Sequence, residues 1–225
     1  MSDHTETPAH GPAHGPAQDA ADGAAYWENH YAARDQVWSG RVNAPLAEFA
    51  ANQTPGRALD LGCGEGGDAV HLAGLGWRVT AVDISALALD RTRARVEAAG
   101  LADRVTTERH DLSRSFPEGT FDLISAQYFQ APFEFSRPEI FRRAAAALTA
   151  GGALFIVDHG APPPWAGAAH AHHHFPSAEE IHDGMGLDPA VHRTERLGTI
   201  QREATGPDGV TGLLTDNVIV IRRVA

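Results

Sequence analysis

Lysine is absent from this 225-residue chain, whose 18 basic residues are all arginine. That excludes Schiff-base catalysis and any phosphate loop built on a lysine. Positive charge is scarce as well, because 29 acidic residues leave a formal net charge of −11. A nucleic-acid backbone is held mainly by clustered cations, so this balance argues against a nucleic-acid partner and for small-molecule chemistry. Cys63 is the single cysteine, which excludes an intramolecular disulfide and a thiolate zinc site. No apolar run approaches the roughly 20 residues that cross a bilayer, and the first residues have neither the charged start nor the apolar stretch of a secretion signal. The expectation is a cytoplasmic protein with no membrane partner.

What is present is organised around Arg57 to Ala73, RALDLGCGEGGDAVHLA. A short apolar run containing Asp60 enters Gly62, Gly64, Gly66 and Gly67, and a helical pattern with Ala69, Val70, Leu72 and Ala73 follows. This reads as a buried strand, a tight glycine turn and a helix. Glycine is needed where the backbone turns through positive φ and where a ligand comes close to bare amides at a helix start. Gly62, Gly64 and Gly67 also satisfy the dinucleotide pattern, so the turn alone leaves a nicotinamide cofactor and another adenosine ligand both open.

Three acids decide between them. Asp60 precedes the first glycine, where its carboxylate can reach an amino acid's ammonium directly or through water. Asp83 closes the next strand, RVTAVDIS, about twenty residues after the glycines, where an acid accepts ribose hydroxyls. Asp111 closes a third strand-like run, VTTERHDL, and can accept from an adenine amino group. The pocket so described suits S-adenosylmethionine.

LDLGCGEGGDAVHLA followed by GWRVTAVDIS resembles the first motifs of class I S-adenosylmethionine-dependent methyltransferases, in particular the small bacterial subgroup with thiopurine and tellurite-resistance enzymes. The resemblance runs from about Tyr26 to the C-terminus and is most specific between Arg57 and Asp111. It implies a Rossmann-like α/β fold with a doubly wound, mostly parallel sheet and an antiparallel C-terminal hairpin strand. It also implies a helical N-terminal segment over the open edge of the cofactor site. There Trp38 and Arg41 would face the ligand, with Arg41 pairing with a methionine carboxylate.

Along the chain, residues 1–23 are low in complexity, with PAHGPAHGPA as a short repeat, and disorder is expected because so little apolar surface cannot offset ordering entropy. Residues 24–56 have the aromatic spacing of one or two amphipathic helices, forming a cap. Residues 57–225 make the cofactor-binding domain, with a His-rich loop at 161–176. Within it, helices are expected over Ser85 to Ala99 and Ser136 to Ala150, the latter stopped by Gly151 and Gly152. Strands are expected over Phe121 to Phe129 and over ALFIVDHG, a short helix near Ser177 to Met185, and a last hairpin around Gly206 to Gly209.

Ligands of an open parallel sheet sit at the carboxyl ends of its strands. Those ends supply Gly62, Cys63 and Gly64; Asp83 with Ile84; Asp111 with Leu112; Ala126 and Gln127; and Asp158 with His159. Ile84 and Leu112 would sandwich the adenine, while Gln127 and Tyr128 shape the substrate side. Cys63 reads as a small residue packed beside the cofactor. His159, which follows the fifth strand at the crevice, is the candidate base. His170, His172, His173 and His174, with His159 and His182 nearby, read as part of a flexible lid with adventitious metal affinity, because adjacent histidines point apart and no acid completes a site. The reading is a methyltransferase acting on an O, N or S atom of a small molecule. Its alternatives are an NAD(P)-dependent reductase and a non-catalytic ligand- or metal-binding module of the same fold.

Overall fold

A computed structural model of the chain describes residues 23–165, 174–206 and 209–224. The expected disordered tail lies outside them, except that Gly23 already opens the first helix. Two helices, α1 (Gly23–Ala32) and α2 (Ala44–Ala50), precede a seven-stranded sheet. The sheet contains β1 (Arg57–Leu61), β2 (Arg78–Asp83), β3 (Val105–Arg109), β4 (Phe121–Gln127), β5 (Leu148–His159), β6 (His192–Thr205) and β7 (Thr211–Arg223). Between the strands run α3 (Gly67–Gly74), α4 (Ala86–Ala98), α5 (Arg137–Ala146) and α6 (Ala178–Met185). No helix among the described residues is long and apolar enough to cross a membrane.

The strand order is β3-β2-β1-β4-β5-β7-β6, and β7 alone runs against its neighbours. This is the expected doubly wound sheet with an antiparallel ending. Its physical basis is simple. The crossovers, helical except from β3 to β4, return the chain to the same end of the sheet and make β1 to β5 parallel. A short turn, in which Gly209 N–H bonds to the Gly206 carbonyl at 3.1 Å, can only reverse the last strand.

Alternation divides the core. Leu59, Leu61, Ile124, Ala126, Leu154 and Ile156 pack on α5 and α6. Ala58, Val79, Ala81, Leu123, Phe155 and Val157 pack on α2 and α3, with Trp77. Asp60 shares the second face, so it points toward the helix that follows the glycine turn rather than into solvent. Two helix starts, those of α4 and α6, carry side-chain caps. Ser85 Oγ accepts from the Ala88 amide at 3.2 Å, and Ser177 forms a reciprocal capping box with Glu180.

Three boundaries differ from the sequence expectation. The helix expected over Ser136 to Ala150 ends at Ala146, and the next strand begins at Leu148, which pairs with Phe121. Thr149 Oγ1 holds that junction by donating to Asp122 at 2.7 Å, and Gly151, at φ 79°, kinks the strand instead of stopping the helix. The third strand ends at Arg109 because Asp111 caps a turn, accepting from the Ser113 amide at 3.0 Å. The fourth ends at Gln127 because Tyr128 adopts φ 51°.

Candidate active site

Gly62, Gly64 and Gly66 all have left-handed φ, between 55° and 79°, and these require glycine. A Cβ on Gly64 would lie 3.1 Å from the Tyr31 hydroxyl, and one on Gly67 would lie 2.8 Å from the Arg41 carbonyl. The turn is therefore a cradle kept bare on the side that faces the N-terminal segment. Cys63 donates its amide to the Val82 carbonyl at 2.8 Å, tying the turn to β2.

Two acids of this same segment hold the N-terminal residues over the cradle. Glu65, 3% exposed, accepts from the Val37 and Trp38 amides and pairs with Arg91 at 2.7 Å. Asp68 accepts from the backbone and side-chain nitrogens of Asn43, both at 2.7 Å. From the other side, Glu28 on α1 accepts from Ser85 Oγ at 2.7 Å and from the Leu87 amide. Trp38 Nε1 donates to the Tyr31 hydroxyl at 3.1 Å, so the indole is fixed above Gly64.

Beneath this strap lies a cavity of about 530 Å³. Of the residues expected at the site, Trp38, Arg41, Gly62, Cys63, Gly64, Asp83, Ile84, Asp111, Leu112, Gln127 and His159 line it. Asp60 and Ala126 do not. Ala126 is wholly buried against α5, and Asp60, 2% exposed, stands behind the glycine turn, where contact with a ligand needs an intervening water. Asp83 is engaged on both oxygens, accepting from the Gly64 amide at 3.0 Å and the Ser85 amide at 2.9 Å. Asp111, which the sequence assigns to adenine, also anchors the turn after β3.

The electrostatics of this end are unusual. Burial raises the carboxyl of Asp60 well above its ordinary value, and Asp68 and Asp83 push it further. Asp68 and Asp83 are raised by burial too, although the amides that bond to them pull the other way. Among the described residues no arginine pairs with any of the three, and Asp60 Oδ2 has no hydrogen-bond partner. Three carboxylates crowded out of water call for a cation. Burial also raises the Cys63 thiol, which makes it a packing group rather than a nucleophile.

The opposite end of the cavity contains residues that sequence reasoning did not connect. Tyr128, His159 and Arg202 line it, and Asp216, fully buried, stands behind them. Arg202 is invisible as a site residue in sequence, because only the pairing of β6 with β7 brings it to the crevice. Of the six histidines considered for metal, His170, His172 and His173 lie outside the described residues. His174 pairs with Glu180 at 3.6 Å, and His182 bonds to Asp183 and Thr194. No group of three or more metal-ligating side chains occurs among the described residues.

Asp158, at the end of β5, faces α5 and pairs with Arg137. Its carboxyl is pushed up to about 6, by burial first, against the pull of Arg137 and His159. An acid whose folded value exceeds its ordinary 3.8 stabilises the fold most below that pH, and the contribution is lost as pH rises through about 6. Asp158→Asn removes this dependence. Between about pH 4 and about pH 6.5 the stability difference should therefore move toward the variant by about 2 kcal/mol. Urea unfolding across that range measures it, and a constant difference would refute the assignment.

Residues 58–152 match the family described as a methyltransferase domain. The chain is similar to the 27-O-demethylrifamycin SV methyltransferase of Amycolatopsis mediterranei (strain S699), at 30% identity over 137 residues, covering 59% of this chain and 49% of that enzyme. It spans about half the length, or less, of the curated relatives it matches. One solved structure, described as the conversion of a disulfide bond into a thioacetal group during echinomycin biosynthesis, superposes with a TM-score of 0.68 at 23% identity. The overlap covers 89% of this chain and 92% of that one. TehB from Haemophilus influenzae does so with a TM-score of 0.64 at 18% identity, covering 87% and 66% respectively. At these identities the two structural likenesses are of fold.

Proposed function

We propose, from the premise that residues 58–152 form a class I S-adenosylmethionine-dependent methyltransferase domain, that this chain moves a methyl group to an O, N or S atom of a small molecule. The observation that carries the reading is the buried trio Asp60, Asp68 and Asp83 around the glycine turn, with which no arginine pairs among the described residues. A pyrophosphate brought to these carboxylates would meet repulsion, which disfavours a nicotinamide cofactor. A ligand bearing an ammonium and a sulfonium meets attraction. S-adenosylmethionine supplies, when bound, a methyl group on a sulfonium whose thioether is an excellent leaving group.

The chain's own task is then alignment and exclusion of water, which accounts for much of the acceleration in an in-line displacement. Asp83 would hold the ribose, Asp60 the ammonium through water, and Asp111 the adenine edge between Ile84 and Leu112. Arg41, which lines the cavity, would meet the carboxylate of the methionine portion. His159 would receive the acceptor's proton where the acceptor arrives protonated. We further propose a cytoplasmic setting, an acceptor rather than a nucleic acid as partner, and a domain layout of cap 24–56 and catalytic unit 57–225.

Calorimetry with S-adenosylmethionine, its demethylated product and NAD tests the reading. Binding of the first two is expected, and binding of NAD alone would overturn it. For a protonated acceptor, His159→Gln should lower turnover by about 100-fold, the usual worth of a positioned base, while cofactor affinity stays within about twofold. Unchanged turnover would remove His159 from the chemistry.

A further inference from the structure

We infer that the β4–β5 end of the cavity takes a neutral hydroxyl of phenol or enol acidity carried on a flat apolar body, and that Asp216 positions His159 to receive its proton. This rests on the methyl-transfer reading and adds the acceptor class and a second residue to it.

The geometry begins with strand register. His159 and Asp216 are opposite one another across β5 and β7, on the same face. Asp216 Oδ2 accepts from Arg202 Nε at 2.7 Å, while its Oδ1 lies 3.8 Å from His159 Nδ1, an ion-pair rather than a hydrogen-bond separation. Arg202 Nη2 donates to the Tyr128 hydroxyl at 2.7 Å, and the Tyr128 ring lies 4.4 Å from the imidazole. Tyr128 occupies left-handed backbone, a conformation costly for a residue with a Cβ and found chiefly where surrounding contacts impose it. Three strands and the residue that follows β4 thus fix one imidazole, with Nδ1 turned toward a buried anion and Nε2 left for the cavity.

The charges around it select the acceptor. Arg202 is the one arginine lining this end among the described residues, and Asp216 and Tyr128 already engage it, so an acceptor carboxylate finds no free cation. Among the described residues the carboxylates that line the cavity, Glu65, Asp68, Asp83 and Asp111, all stand on the β1–β3 side, so an acceptor ammonium at the β4–β5 end finds no anion there. His110 also lines the cavity, but both its ring nitrogens are engaged, by Ser115 and Glu108. Trp27, Phe129, Phe133 and Phe135 form the walls, with Phe129 and Phe135 edge to face at 5.3 Å. Such walls accept a planar apolar body.

An oxygen lone pair forms the bond to the methyl carbon as the carbon–sulfur bond breaks, with its electron pair passing to sulfur. The hydroxyl proton goes to His159 Nε2 and afterwards to water. The ionisable groups facing His159 are Tyr128, Arg202 and Asp216, while Asp158, next to it on β5, takes the other face and pairs with Arg137.

The test uses the full chain saturated with demethylated cofactor, and three ligands sharing one ring system: naphthol, naphthoic acid and naphthylmethylamine. Naphthol should bind at least about tenfold more tightly than the other two, each of which leaves an unpaired charge in the cavity. With S-adenosylmethionine it alone should be methylated. Equal or tighter binding of the acid or the amine, or no binding of naphthol, overturns the inference while leaving cofactor binding intact. Failure of the cofactor to bind overturns the reading beneath it instead.

For Asp216→Asn the acidic limb of kcat/KM should move down by about one pH unit and the plateau fall about tenfold or more, with cofactor affinity within about twofold. Arg202→Gln, which removes a cation near the imidazole, should move the limb the other way, and it decides the point should Asp216→Asn fail to fold. A limb unmoved in whichever of the two variants folds removes Asp216 from its positioning role.

Discussion

Asp83→Ala is expected to weaken S-adenosylmethionine binding by roughly 100-fold or more, because two charge-assisted hydrogen bonds to the ribose are lost at about 1.5–3 kcal/mol each. The loss has a second component. In the free protein this carboxylate already accepts from the Gly64 and Ser85 amides, so it also sets the shape of the cradle and the start of α4. Asp83→Asn separates the two components. Its side-chain oxygen can still accept from one of those amides while the charge is gone, so a smaller loss, about tenfold, is expected from calorimetry. An Asp83→Ala dissociation constant equal to that of the parent would remove the cofactor assignment altogether.

The second large effect has opposite signs for stability and for binding. Asp60→Asn should raise the melting temperature of the ligand-free protein by roughly 3–6 °C, since removing a buried, unpaired charge recovers about 1–2 kcal/mol in a domain of this size. The same change should weaken S-adenosylmethionine by about tenfold through loss of a water-mediated, charge-assisted contact. The pH dependence follows from the direction of the shift. Burial and the neighbouring carboxylates raise Asp60, so the free parent gains stability from this group as pH falls, and that gain is lost as pH rises through the raised value. Cofactor affinity runs the other way, because protonation removes the charge that attracts the ammonium. In Asp60→Asn both dependences should flatten. A melting temperature that falls, or an affinity that is unchanged, would show that this carboxylate is not held in reserve for a cation.

Legibility in the sequence differed by the range of the physics involved. The glycine turn could be read because positive φ at Gly62 and Gly64 is a local demand that few residue types meet. The parallel order could be read because apolar runs alternating with helical patterns leave few ways to bury both faces of a sheet. Boundaries were less legible where a tertiary contact decides them. Leu148 continues into a strand because Phe121 is there to pair with it, and Tyr128 leaves one because Arg202 and His159 hold its ring.

Charge partnerships were the least legible. Glu65 looks like one more residue of a glycine turn, yet it fastens Val37, Trp38 and Arg91 to the cofactor side. Asp216 and Arg202 lie 57 and 43 positions beyond His159 in a stretch that reads only as a hairpin. By itself the sequence determined the turn, the acids at the ends of three strands and the reversal of the final strand, because each depends on a residue and its immediate neighbours. Which of those acids faces the cavity, what clamps the strap above it and what stands behind His159 were decided only in the folded chain. Those facts depend on strand register and on the face each side chain takes, and both are fixed by contacts between residues far apart in sequence.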